Sequence, residues 1–195
     1  TAGATVVSGG ATLDVNGQAV GAEAVTLNAG ATLANSAGSG SLGGVVTVGG
    51  AATVDVSGTQ LTLSGNNIGA GGVTKAGAGT LVLTGANSYA GGTTISAGVL
   101  QVGAGGTSGS LGGVVTNNAV LTFNRSDALT HAGAIGGTGV VNQSGGGVLT
   151  LSGSNTYSGQ TNVNSGTLAL GNATALGTTA GATVVSGGAT LDVNG

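Results

Sequence analysis

The chain repeats itself at two scales, and this limits its fold more than any single residue does. Residues 1–17, TAGATVVSGGATLDVNG, return letter for letter as 179–195, a period of 178. A shorter period lies inside it. SLGGVVT stands at 41–47 and again at 110–116, a shift of 69, and residues 77–103 align with 145–171 at a shift of 68, with 12 of 27 positions identical. Self-similarity at fixed spacing marks stacked repeats, each burying its apolar side against the next instead of around one closed centre. The sequence therefore reads as one continuous segment over 1–195. Internal repeats occupy 41–109 and 110–178, and 179–195 restarts the 178-residue module begun at 1–17. The expectation is slightly more than one module from a longer tandem array, or an arbitrary window on one.

The local pattern has period two. Val25-Thr26-Leu27, Leu61-Thr62-Leu63, Leu121-Thr122-Phe123 and Leu149-Thr150-Leu151 each set a polar or small β-branched residue between two apolar ones. In a strand alternate side chains point to opposite faces, so the aliphatics go inward and Thr outward. No stretch carries apolar residues at helical spacing over ten or more positions, so no helix is expected. Between the strands come Gly-Gly, Ser-Gly and Asn-Gly pairs, which supply the positive φ of tight corners. Strands of about 4–6 residues are expected.

Three architectures build many short strands. A membrane barrel needs aromatic girdles, and the only aromatics are Tyr89, Tyr157 and Phe123. A sandwich needs a closed core of larger side chains, and this chain has no Trp or Met. Small aliphatics and 45 glycines suit the narrow cross-section of a single-stranded parallel β-helix. The shorter period reads as three coils of about 23 residues, the whole chain as about 8–9 coils, and the rod as ~40 Å long. Collagen is excluded because there is no Pro and no Gly-X-Y period. Disorder is disfavoured by 39% hydrophobic against 4% charged residues.

Charge removes further classes. With Lys75 and Arg125 as the only cations and a net charge of −3, the chain cannot neutralise a phosphate backbone or an anionic membrane surface. No run of 18 apolar residues offers a membrane-spanning helix. Residue 1 opens directly on repeat-like sequence, so any signal peptide is expected outside this stretch. Cys is absent, which removes disulfides, Cys-based zinc sites and thiol nucleophiles. It also suits a secreted chain that must stay threadable through a pore.

GAGTLVLTGANSYAGGTTISAGVLQVG at 77–103 closely resembles the passenger-associated repeat of bacterial autotransporters (type V secretion). The copy at 145–171 matches less strictly, with Gln160 where Gly92 stands and Gln143 where Lys75 stands. SGGATLDVNG at 8–17 is similar to flanking pieces of such passengers. The resemblance implies a right-handed parallel β-helix exported to the bacterial surface through an outer-membrane barrel not contained in this sequence. Such proteins include adhesins, aggregation factors, toxins and proteases, and the enzymatic ones carry their chemistry in separate inserted domains.

No catalytic, cofactor-binding or metal-binding residue is assigned. Arg125, Asp127 and His131 form the most polar cluster and are expected to be an exposed loop with an Asp–Arg pair. No Gly-x-Ser-x-Gly elbow lies near them. Asp14, Glu23, Asp55, Asp127 and Asp192 are scattered, whereas glycoside hydrolysis needs paired carboxylates and calcium needs several oxygen ligands. GSGSLG at 38–43 matches a dinucleotide-binding string without the helix behind it, a chance match in so Gly-rich a chain. Tyr89 and Tyr157, at equivalent corners, read as plugs over a coil, with carbohydrate stacking as the other reading. Asn124, Asn142 and Asn172 sit in N-x-[ST] strings that carry little weight here.

The expected function is the structural and adhesive repeat region of a long extracellular bacterial surface protein. It is expected to be a fibre or stalk and not an enzyme. Its expected partners are adjacent copies of the repeat, with homotypic lateral association or surface glycans as further partners; nucleic acid and membrane insertion are not expected. The alternative is a carbohydrate-binding or polysaccharide-degrading β-helix, and a designed consensus repeat is a third reading.

Overall fold

The computed structural model describes residues 3–193. Residues 1–2 and 194–195, the outermost letters of the 17-residue duplication, lie outside the described residues. Twenty-four strands and no helix make up the regular structure of the described residues, and every pairing between strands is parallel. The chain winds as a β-solenoid with three faces. The first face carries Thr5–Val7, Val25–Leu27, Val46–Val48 and Asn67–Ile68, and resumes with Leu129–His131, Val148–Leu151, Thr167–Leu170 and Thr190–Asp192. The second runs Thr12–Asp14, Thr32–Asn35, Ala52–Val56, Val73–Ala76, Thr93–Ile95, Val115–Asn117 and Ile135–Gly136. The third runs Ala19–Val20, Ser39–Leu42, Gln60–Leu63, Thr80–Leu83, Val99–Val102, Val120–Phe123, Val140–Gln143, Thr161–Val163 and Thr183–Val185.

The two halves of the first face are one continuous wall. Ser88 and Ala90 donate their amides to the carbonyls of Asn67 and Gly69 at 2.9 Å each, Asn87 Nδ2 donates to the Ser110 carbonyl at 2.7 Å, and His131 Nδ1 donates to the Leu111 carbonyl at 3.0 Å. Between Ile68 and Leu129 this wall turns two coils without strand pairing. The second face ends likewise at Ile135–Gly136, and its place is taken by the corner at 155–157, whose Thr156 amide donates to the Ile135 carbonyl at 2.8 Å. Only the third face is uninterrupted.

Alternation sets the core. Leu61, Leu81, Leu100, Leu121 and Val141 stand in register along the third face and are all buried. Each contributes roughly 1.5–3 kcal/mol by leaving water. The Thr between the aliphatics points out, and on the second face Thr12, Thr32, Thr53, Thr74, Thr94 and Thr116 form one outward column. Within GSGSLG at 38–43, Ser39–Leu42 is ordinary strand. Gly40 faces inward, where a Cβ would lie 2.7 Å from Asn35 Oδ1, so the amide of Asn35 fills the space a Leu takes in the next coil.

Two expectations need correction. Strands are two to five residues long, because each face of so narrow a rod is short. Most coils are also shorter than 23 residues, the range being 19 to 23. Thr5 pairs with Val25 and Val25 with Val46, and the extremes are Thr80 with Val99 and Thr167 with Thr190. A repeat of 68 therefore does not equal three coils. Three turns carry Leu81 through Leu100 and Leu121 to Val141, whereas its sequence equivalent Leu149 pairs with Leu129 and Leu168 on the next face. The corners explain the shortening. Gly98 (φ 66°) and its equivalent Gly166 (φ 62°) take the left-handed conformation in a space where a Cβ would come within 2.4 and 2.3 Å of a carbonyl oxygen of the coil before. A chain that needs so few residues to turn completes each coil sooner.

Candidate functional site

The recurring corner is the most specific construction in the molecule. It replaces a strand by an Asn and a Tyr turned inward. Asn87 Oδ1 accepts the Asn67 amide at 3.2 Å and the Asn67 side-chain amide, while Nδ2 donates to the carbonyls of Gly85 (3.0 Å) and Ser110 (2.7 Å). One side chain thus ties together the coil below, its own coil and the coil above. Asn155 repeats this, accepting the Ile135 amide at 2.9 Å and donating to the Ala175 carbonyl at 2.7 Å. Two residues on, Tyr89 and Tyr157 lie over the core with 4% and 0% of their surface exposed, and each hydroxyl pairs at 2.7 Å with a Thr four residues later, Thr93 or Thr161. Burial pushes the Tyr89 hydroxyl up to about 12 and raises that of Tyr157; the Thr hydroxyl opposes both shifts. Neither ring has a free face on which a sugar could stack, so the plug reading of these corners fits. The void beside Tyr89 is about 10 Å³, about the volume needed to seat one water and no more.

Polar side chains also seal other corners from within. Lys75 is fully buried, and its Nζ donates to the carbonyls of Ala76 (2.7 Å), Gly77 (2.8 Å) and Ala97 (3.2 Å). Burial pulls its pKa down to about 8, with the Asp55 carboxylate pulling the other way. At the equivalent corner one face further round, Gln143 Nε2 donates to Gly145 (2.9 Å) and Gly147 (3.2 Å). Asn35 and Asn117 do the same for Gln60 and Val140 at 2.8 and 2.9 Å. An ammonium and three amides thus perform one task, donating from inside the rod to backbone carbonyls at and beside the turns.

The polar cluster of Arg125, Asp127 and His131 is pulled apart. Arg125 and Asp127 do pair, Nε to Oδ1 at 2.8 Å and Nη2 to Oδ2 at 2.7 Å, and the guanidinium holds the Asp127 carboxyl below its ordinary value. Arg125 also donates to the carbonyls of Gly109 (2.5 Å) and Thr107 (2.6 Å), pinning the loop 103–110 against the rod. His131, expected in an exposed loop, is instead buried, because it occupies an inward position of Leu129–His131. Its ring lies 5.7 Å from that of Phe123, its Nε2 has no partner, and burial lowers its pKa. Beside the pinned loop is an open groove of about 500 Å³ whose lining includes Ser64, Asn66, Thr84, Ala86, Ser108 and Arg125.

The acids stay apart. Asp14 accepts the Ser36 hydroxyl at 2.5 Å and the amides of Asn16 (2.8 Å) and Ser36 (3.1 Å), which together hold its pKa below 3.8. Asp55 stands two coils further along the same column, and Glu23 accepts the Thr5 hydroxyl at 2.7 Å. Asp192 belongs to the first face. Among the described residues no three His, Asp or Glu side chains are grouped closely enough to hold a metal. The sequence reading missed the Asn clamp. The signal was present, since Asn87 and Asn155 are among the identical positions of the two aligned windows, two residues before each Tyr.

The comparisons with known proteins single out the same stretches. The Passenger-associated-transport-repeat family matches residues 73–102 and 141–170, which contain both Asn-Tyr-Thr corners and the Gly98 and Gly166 turns. The chain is similar to the adhesin BmaC autotransporter of Brucella suis biovar 1 (strain 1330), at 40% identity over 99 residues, covering 40% of this chain and 3% of that protein. It therefore spans a small fraction of the length of that relative. No solved structure matches it.

Proposed function

We propose that this chain, which carries the passenger-associated repeats of an autotransporter passenger, is a rod-shaped structural and adhesive segment of a bacterial surface protein. The reading rests on one observation: nine strands stack in unbroken register along the third face, so the molecule is all axis. At ~4.8 Å per strand the described coils span ~40 Å, and each further coil adds length without changing the cross-section. Such a stalk holds whatever lies at its far end away from the cell. The low charge of the faces lets neighbouring rods approach, so self-association is the adhesive activity that fits best. Small-angle scattering and sedimentation velocity of the chain test this. An elongated particle with concentration-dependent association is expected, and a compact particle sinks the rod.

The groove beside loop 103–110 favours a second reading, weak binding of a neutral saccharide. Asp127 already neutralises the guanidinium of Arg125, so a full anion gains little there, while hydroxyls and amides face a sugar edge. A glycan array that gives no binding weakened by Asn66→Ala removes it.

A further inference from the structure

The shorter repeat moves its motif one face round the rod, and the long period does the same in the other sense. Thr5–Val7 lies on the first face, and its copy Thr183–Val185 lies on the third. Thr12–Asp14 lies on the second, and its copy Thr190–Asp192 lies on the first. Two independent strands of the duplication agree, so a 178-residue module does not close on a whole number of coils.

The faces differ in charge. Of the seven charged residues, Asp14, Asp55 and Lys75 belong to the second face, Asp192 to the first, and Glu23, Arg125 and Asp127 to corners. The third face has none. Its outward positions are a column Gln60, Thr80, Val99, Val120 and Val140 beside a column in which Thr62, Gln101, Asn142 and Asn162 reach the surface while Val82 and Thr122 between them are buried. Asn162 Nδ2 donates to Asn142 Oδ1 at 2.8 Å, and Asn142 Nδ2 to Thr122 Oγ1 at 3.2 Å, forming an amide ladder along the rod.

We infer that this uncharged, uninterrupted surface is where a second copy of the chain packs, and that in a tandem array it steps to the neighbouring face with every module. The inference rests on the self-association reading above. A flat surface with neither net charge nor an unpaired strand edge along its middle meets its own copy without repulsion. Nothing in it offers a cation or anion to a charged partner. Its area fits the stepping. Strands of four residues, ~13 Å, along a rod of ~40 Å give ~500 Å² per copy, below the ~800 Å² per partner of a stable interface. One module is therefore a weak contact. Because the surface turns by about a third of a revolution per module, two straight rods cannot match it beyond one module. Strength must come from several modules engaging different neighbours or from two rods winding round each other.

Sedimentation equilibrium of the chain up to ~1 mM tests the surface. Val99→Lys/Val120→Lys/Val140→Lys is expected to lower the association constant at least tenfold, and the second-face control Thr74→Lys/Thr94→Lys/Thr116→Lys to leave it within twofold. Should the first variant fold poorly by circular dichroism, Asn142→Lys/Asn162→Lys carries the same expectation. Equal loss in both variants, or in neither, overturns the surface while leaving self-association standing. No association of the unaltered chain sinks the self-association reading itself. The stepping is read by spin labels on Val6→Cys and Val184→Cys, equivalent exposed positions of the duplication in a Cys-free chain. A separation clearly longer than the ~41 Å that eight to nine coils span along the axis is expected. A separation equal to that axial spacing overturns it.

Discussion

The two passenger-associated repeats, 73–102 and 141–170, build the same corner on different walls of the rod. In the first, Thr80–Leu83 on the third face leads through Asn87 and Tyr89 on the first face to Thr93–Ile95 on the second. In the second, Val148–Leu151 on the first face leads through Asn155 and Tyr157 on the second to Thr161–Val163 on the third. Asn, Tyr and Thr keep their spacing, the Asn bonds to the coil on either side and the Tyr–Thr hydroxyl pair, and the face changes. The corner is therefore specified by the motif and the coils it touches and not by its azimuth. Where the copies diverge, the task survives with other chemistry. Lys75 and Gln143 cap equivalent turns, and Gly92 at φ 77° is replaced by Gln160 with no left-handed residue at that place.

If the corners are equivalent, removing their plugs must hurt equally. Tyr157→Ala and Tyr89→Ala are each expected to cost about 3–5 kcal/mol, the range for deleting a buried aromatic ring. In a stacked array the loss is local first, so amide hydrogen exchange is the proper readout. Protection should fall in the coils flanking the substituted corner and hold elsewhere. A corner that tolerates the change shows that the two copies share a sequence without sharing a role. A smaller effect follows from Asn87→Ala and Asn155→Ala. Each leaves buried groups of two adjoining coils unpaired, at about 1–3 kcal/mol each. Asn87 bonds more groups than Asn155, so its loss should be the larger in a denaturant titration.

The capping pair sharpens the comparison, because the copies supply their own substitutions. Lys75→Gln imports the residue of the second copy and is expected to leave stability at pH 7 unchanged or raised. Gln143→Lys buries an ammonium at a corner built around an amide and is expected to cost about 1–3 kcal/mol. The pH dependence separates them. Unfolded, Lys75 keeps its proton up to its ordinary 10.5; folded, it releases it near 8. Between those values the unfolded chain binds more protons, so stability rises with pH across that window. Thermal melts of the original chain should show this rise, and melts of Lys75→Gln should lack it.

Much of this was legible in the sequence, and the part that was not has a common cause. Alternation around Thr26, Thr62 and Thr150 gave the strands and their inward faces, because period two is a property of the backbone and needs no neighbour. The repeats gave the stacking. Coil length was not legible, since it depends on how few residues a corner needs once Gly98 or Gly166 takes a positive φ against the coil below. A period of 68 fits three coils of 23 or three and a third of about 20 equally well, and only the strand register decides. The burial of His131 was hidden for a related reason. Ser126, Asp127 and Thr130 around it are polar, yet the strand turns residue 131 inward, and which side a short strand buries depends on the corner before it.

His131 also yields the smallest predicted effect and the finest test of the alignment between copies. Its equivalent 68 residues earlier is Leu63, buried on the third face as His131 is buried on the first. The ring faces Phe123 and the Leu111 carbonyl. Donation from Nδ1 to that carbonyl fixes the neutral tautomer, with Nε2 bare in an apolar surrounding. Burial lowers the pKa from its ordinary 6.5, so as pH falls below 6.5 the unfolded chain takes up a proton that the folded chain refuses, and stability falls. His131→Leu, the residue of the other copy, should abolish that acid-side loss and leave the neutral-pH melting temperature within a few degrees. If the acid-side loss persists unchanged in His131→Leu, the sensitivity belongs to the carboxylates of Asp14 and Asp127, both held ionised by their partners in the folded chain.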